Sequence, residues 1–218
     1  MIGSSEEMII QVSNTKNGLG YVSYAVAKNS SRIKMLKVNG VEPTIAHVKN
    51  ESYPLIRPFQ LVYQGKLSDI EKDFLQFVKS EGQGYIAGYC VPVRNQGIYL
   101  PNGAVGRLDI SGSTSMTPML EELAERYMLV NPNAEVRVKS SDSESGMMDV
   151  IAGNSNLGMV SRELKSYEKE LLTTERIGRD AIAIIVNPEN DVEDVSVSQL
   201  KKIYNGSIRS WEYLNVYE

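Results

Sequence analysis

The sequence predicts an α/β fold, a parallel or mixed sheet flanked by helices. Three observations carry that reading. A short apolar run, Leu108–Ser111, enters a Gly-Ser-Thr-Ser turn, and an amphipathic run with apolar residues at helical spacing follows from Met116 through Leu129. The pattern then repeats: Glu135–Lys139 alternates as a strand and passes through the hydroxyl-rich turn Ser140–Gly146 into a helix, Met147–Ala152. It occurs a third time where Leu157–Val160 runs through Ser161–Ser166 into a helix ending at Leu172. Three β-turn-α units in tandem, each with serine at the carboxyl end of its strand, predict helix N-termini converging on one edge of a sheet.

Before these units, Glu6–Ser13 reads as the end of a helix and Asn14–Gly20 as a turn into a strand over Tyr21–Val26. Arg32–Val38 alternates as one strand closed by Asn39-Gly40, and Pro43-Thr44 opens a short helix to Lys49. Tyr53–Tyr63 is extended and carries two prolines, which suits a segment crossing between structural units better than a central strand. Ser68 caps a helix whose apolar residues Ile70, Phe74, Leu75, Phe77 and Val78 share a face. A further helical turn after Ser80 leads to Tyr89–Val93, and the polar, glycine-rich stretch 94–106 marks a linker. After the third unit, Ile177–Asn187 is a long buried strand ended by Pro188, Val197–Tyr204 is a helix, and Trp211 is an aromatic packing anchor.

With 218 residues the chain can bury one large core or two small ones. A net charge of -4, with no basic block and no aromatic-basic interleaving, argues against a nucleic-acid partner. The longest apolar run, Ala181–Val186, is far too short to cross a bilayer. Met1–Glu7 shows no export signal. The single cysteine, Cys90, reads as a small buried apolar residue, and the single histidine, His47, has no second ligand candidate near it in the sequence. No metal or other cofactor is implied.

The turn after Leu108–Ser111 carries the chemistry. Ser115 is placed to be an N-cap and Pro118 to sit in the first helical turn, where a missing N–H costs nothing. Free N–H groups, the positive end of the helix dipole and three hydroxyls then form a site for a small anion. The absence of lysine from this turn argues against a nucleotide P-loop and for an oxyanion held by neutral donors; a capped helix with no ligand is the plainer alternative. A serine nucleophile at Ser115 would need a positioned base, and no Gly-x-Ser-x-Gly elbow is present, so the reading is not an enzyme.

Several stretches resemble the phosphate-binding proteins of bacterial ABC transporters, the PstS-like solute receptors of type II periplasmic-binding-protein fold. Gly112–Pro118, Ser141–Met147 and Leu157–Lys165 are similar to that family's three anion loops, Asp180–Pro188 to its crossing strand, and Gln199–Trp211 to its "F-x-G-x-I-x-x-W" element. Gly18–Ser23, Val38–Thr44, Tyr53–Phe59 and Phe74–Gln83 are similar to its carboxy-terminal signatures, met here first.

The resemblance implies one lobe of that fold in permuted order. Residues 1–93 are the carboxy-terminal family half, 94–106 a linker, and 107–218 the amino-terminal half. A circular permutant and the junction of two tandem receptor repeats both fit, and the natural look of Asn95–Asn102 favours the junction. The family's "R-x-x-x-S-G-T" segment and most of its second lobe are not found. The resemblance further implies an extracytoplasmic parent protein that binds inorganic phosphate or a similar oxyanion and hands it to an ABC permease. By family match the ligand groups are Ser115 and the Met116 N–H, Ser143 and Ser145, and Ser161 and Arg162. Arg162 either meets the anion or joins a salt bridge to Glu163 or Asp180, while Asp142 and Glu144 would repel a dianion unless they point away. A structural α/β lobe with no tight ligand, dimerising through an exposed cleft, is the alternative function.

Overall fold

The computed structural model describes residues 4–216. The leader reading at Met1–Gly3 and the chain end at Tyr217–Glu218 lie outside the described residues. The chain forms two compact units: Met1–Ile56 with Ala181–Glu218, and Arg57–Asp180. Among the described residues no helix is long and apolar enough to cross a membrane.

The first unit contains α1 (Ser5–Ser13), β1 (Leu19–Ser23), α2 (Tyr24–Ala27), β2 (Lys34–Met35), β3 (Lys37–Val38) and α3 (Ile45–Lys49). Two expectations change here. The strand predicted over Tyr21–Val26 stops at Ser23, whose hydroxyl accepts the Ala25 N–H and caps α2. The single strand predicted over Arg32–Val38 breaks at Leu36, where the chain leaves β2's pairing and, as β3, takes a partner of its own. The core of this unit joins Ile9, Val12, Val22, Ala27 and Ile33 to Ala183 and Ile185.

The second unit runs through β4 (Ile56–Tyr63), α4 (Asp69–Lys79), α5 (Gly82–Ile86), β5 (Val91–Pro92), β6 (Gly106–Ser113), α6 (Thr117–Val130), β7 (Ala134–Ser141), α7 (Ser143–Ile151), β8 (Leu157–Val160), α8 (Ser166–Leu171) and the first half of β9 (Thr173–Val186). Strand order is β9-β4-β8-β6-β7. The three predicted β-turn-α strands are parallel to their neighbours, β6 pairing with both β7 and β8, whereas β4 runs antiparallel to β8. The sheet is therefore mixed. β4 is a central strand as well as the segment that enters this unit, because its register with β8, Gln60–Val62, lies beyond Pro58.

Ser68 caps α4 in a capping box with Glu71, and all five residues of the predicted apolar face are buried. They pack with Leu120, Leu123 and Tyr127 of α6 and Leu108, Ile110, Leu157 and Met159 of the sheet into the main core. On the other face, Met147 and Val150 of α7 meet Val62, Val160, Leu164 and Leu172.

Stretch 94–106 is more than a spacer. Tyr99 is buried, and its hydroxyl donates to Asp73 Oδ2, which also accepts from Tyr127 Oη at 2.8 Å and Asn131 Nδ2 at 2.6 Å. The last part of β9 returns to the first unit, pairing with β1 over Leu19–Ser23, and is followed there by β10 (Asp194–Val195), α9 (Val197–Tyr204) and a 3₁₀ turn, Trp211–Val216. Trp211 serves as the expected anchor by donating Nε1–H to the Asn17 carbonyl at 3.0 Å.

Candidate functional site

Parallel β6, β7 and β8 deliver Ser113, Ser140-Ser141 and Ser161 to the same end of the second unit's sheet. Three of the hydroxyl residues at this end meet. Ser113 Oγ donates to Ser161 Oγ at 2.8 Å, Ser161 N donates to Ser143 Oγ at 3.1 Å, and the Ser143 and Ser161 hydroxyls lie 3.4 Å apart. That contact is long and engages only one of the two hydroxyl hydrogens, so the Ser143–Ser161 pair keeps at least one donor for an incoming acceptor. Sequence reasoning placed Ser113 among the turn's three hydroxyls but not among the ligand groups. Its signal is position: it ends a strand on the same side as Ser111, and both are buried.

Close packing makes this meeting possible. A methyl group on Gly146, in α7's first turn, would sit 2.6 Å from Gly112 Cα and 2.7 Å from the Ser111 carbonyl oxygen. Gly112 has φ +134°, and a Cβ there would lie 2.4 Å from the Met159 carbonyl oxygen. Gly146 lets α7 lie directly on the β6 backbone, and Gly112 lets β6 adopt a positive φ beside Met159 of β8; together they bring Ser143 to Ser161.

The helix ends differ from one another. Met116, not Ser115, is the N-cap of α6, and no side chain accepts that helix's first N–H groups. The reason is the turn: the Met116 N–H donates to the Ser113 carbonyl at 3.0 Å, so it is already bound within the protein. Ser115, half-buried, makes no hydrogen bond among the described residues and is free to donate.

α7 starts at Ser143, four residues before its predicted first residue, because Asp142 caps it. The Asp142 carboxylate accepts the Glu144 and Ser145 N–H groups at 2.9 Å each and the Ser145 hydroxyl at 2.7 Å. These bonds, led by that of the Ser145 hydroxyl, lower the carboxyl's pKa. The Ser145 donor is thus taken up by the helix's own anion.

The third loop is also closed on itself. Arg162 binds Glu168 through both nitrogens, Nη1 to Oε2 at 2.7 Å and Nη2 to Oε1 at 2.8 Å. Its partner is neither of the expected ones: Glu163 offers Arg162 only its carbonyl and pairs its carboxylate with Arg176, and Asp180 is bound by Arg57. Glu168 also accepts the Lys165 N–H at 2.8 Å. The Arg162 bond, opposed in part by burial, holds the Glu168 carboxyl down at about 2. Among the described residues, α6 has no side-chain acceptor at its start, α7 has Asp142, and at α8 Glu168 takes the Lys165 N–H.

Parallel β-turn-α units with hydroxyls gathered at the strands' carboxyl ends form the edge at which open α/β sheets hold ligands. A family model described as a PBP superfamily domain matches residues 99–216. Phosphate-binding protein PstS 2 of Streptococcus agalactiae serotype V is 35% identical over 217 residues, covering 97% of this chain and 73% of the relative. The PstS 2 protein of Streptococcus pneumoniae serotype 4 is 32% identical over 212 residues, covering 96% and 72%. A solved structure of a phosphate-binding protein of a phosphate ABC transporter, from Streptococcus pneumoniae TIGR4, superimposes with a TM-score of 0.79 at 31% identity, covering 97% of this chain and 82% of that one. The chain belongs to the PstS family of phosphate-binding proteins within the PBP superfamily.

Proposed function

We propose that this chain binds inorganic phosphate reversibly and without covalent chemistry, as the receptor part of an ABC-type uptake system outside the cytoplasm. The ligand would sit where Ser143 and Ser161 present hydroxyls beside the Ser115 hydroxyl and the open end of α6, with Ser113 fixing Ser161. The observation that carries this reading is the Ser113–Ser161–Ser143 contact, three hydroxyls from three separate stretches meeting beside a helix N-terminus that no side chain caps. Met116, Ser145 and Arg162 then fall outside the ligand groups, since their donors are already engaged. The reversed order of the family signatures fits a permuted chain and a tandem junction alike, and release to a permease is part of the same proposal.

A second reading, a structural lobe that holds no ligand tightly and self-associates, is favoured by one observation: Asp142 occupies α7's first amides and Glu168 holds Arg162. Calorimetric titration with phosphate, with sulfate as competitor, separates the two. Micromolar binding lost in Ser115→Ala and Ser161→Ala supports the receptor. Millimolar or absent heat, with a dimer on a sizing column, supports the lobe.

A further inference from the structure

The SRELK stretch carries a cation at the edge of the proposed anion site, yet the geometry turns that cation away from a ligand. Both Arg162 Nη atoms are on Glu168, whose side chain is 8% exposed. The same loop is held at two further points: Gln60 Nε2, buried in β4, donates to the Arg162 carbonyl at 2.6 Å, and the Ser161 N–H donates to Ser143 Oγ at 3.1 Å. Ser161 is therefore fixed on one side by Ser143 and Ser113, and on the other by a residue whose main chain is pinned by Gln60 and whose side chain is pinned by Glu168.

We infer that Glu168 is a charge-setting residue of the phosphate site: it cancels Arg162's charge, while Gln60 and Ser143 hold the loop, so that the anion meets neutral hydroxyl and amide donors. This rests on the receptor reading above. The charges facing Arg162 are Glu168 and, at longer range, Glu144 at the start of α7, with Tyr167 as the other titratable neighbour. Glu144 places the Arg162 charge within electrostatic reach of the second serine loop. A permanent cation there would attract any anion, whereas neutral donors in fixed positions select by shape.

The test compares Glu168→Gln with Arg162→Gln/Glu168→Gln in phosphate calorimetry at low and high salt, with melting curves for each. Glu168→Gln keeps an acceptor for the Lys165 N–H but frees the guanidinium charge. Its phosphate Kd is expected to fall roughly 3- to 10-fold at low salt, with a steeper salt dependence than the wild type. The double variant, neutral at both positions, is expected to return to within about 2-fold of the wild type if a single nearby charge causes the change.

An unchanged or weaker Kd in a folded Glu168→Gln protein overturns the inference while the receptor reading stands. Should Glu168→Gln not fold, the double variant decides alone: a wild-type Kd supports the inference, and a loss beyond about 10-fold makes Arg162 a direct ligand and overturns it. A wild type that gives no heat with phosphate overturns the receptor reading and this inference together.

Discussion

Arg57 and Asp180 form a side-on ion pair, Nε and Nη2 both on Oδ2 at 3.0 and 2.9 Å, with the Asp180 side chain fully buried and Arg57 nearly so. They are also the first and last residues of the second unit. A buried pair of this kind gains little over an apolar pair, but removing one member is costly because the desolvated carboxylate loses two charge-assisted hydrogen bonds. Arg57→Ala should cost roughly 3–5 kcal/mol in urea denaturation, and Arg57→Lys, which cannot reproduce the two-nitrogen grip, should recover only part of it.

Asp73 collects three donors on one oxygen, and its Oδ1 has no hydrogen-bond partner among the described residues. Tyr99→Phe should lose about 1–2 kcal/mol. Asp73→Ala should lose more, since it strands Tyr99, Tyr127 and Asn131 together. Burial first, and Asp73 second, raises the pKa of both tyrosines well above the usual phenol. Both should stay silent in an absorbance titration through pH 11, and stability should fall as pH rises past the unfolded value near 10 (about 10 in model peptides).

Acid sensitivity follows from Glu168. Its folded pKa, about 2, lies below the ordinary 4.5, so its contribution is fully present above the unfolded value and disappears as pH drops from 4.5 toward 2. Melting temperature should decline through that window in the wild type. Glu168→Gln should start lower and change less across it.

Gly146→Ala tests the packing that joins the serines. The added methyl meets backbone atoms of Ser111 and Gly112, which cannot swing aside as a flexible side chain would. The expected loss is about 1–3 kcal/mol, with weaker phosphate binding because α7 must lift Ser143 away from Ser161. Equal loss of stability with unchanged binding would separate the packing from the site.

Much of this could be read in the sequence because local signals agreed. Capping chemistry and a 3.6-residue apolar period placed α4, with Ser68 as its cap and Phe74 and Phe77 inside. Serines at strand ends announced the meeting point. What escaped were choices that depend on a distant partner. Ser113 reads as one of three turn hydroxyls until the strand runs on to it and β8 brings Ser161 beside it. Arg162 offers several acceptors in sequence, and only the path of α8 selects Glu168. Tyr99 sits in a stretch without periodicity, and the sign that it is buried, an aromatic between Ile98 and Leu100, misleads because both neighbours are exposed. Ser115 lost its expected cap role when the Met116 amide turned back to Ser113.

The first unit is interrupted by the second in the order of the chain, and its core needs Ala183 and Ile185 beside Ile9, Val12 and Val22. During translation β1 must therefore wait, its edge unpaired, until more than a hundred further residues have been made, whereas Arg57–Asp180 can fold as soon as it emerges. Nascent chains extended far enough for Asp180 to leave the ribosome while the residues after it are still inside should carry a folded Arg57–Asp180 unit behind an earlier segment that proteases can still cut.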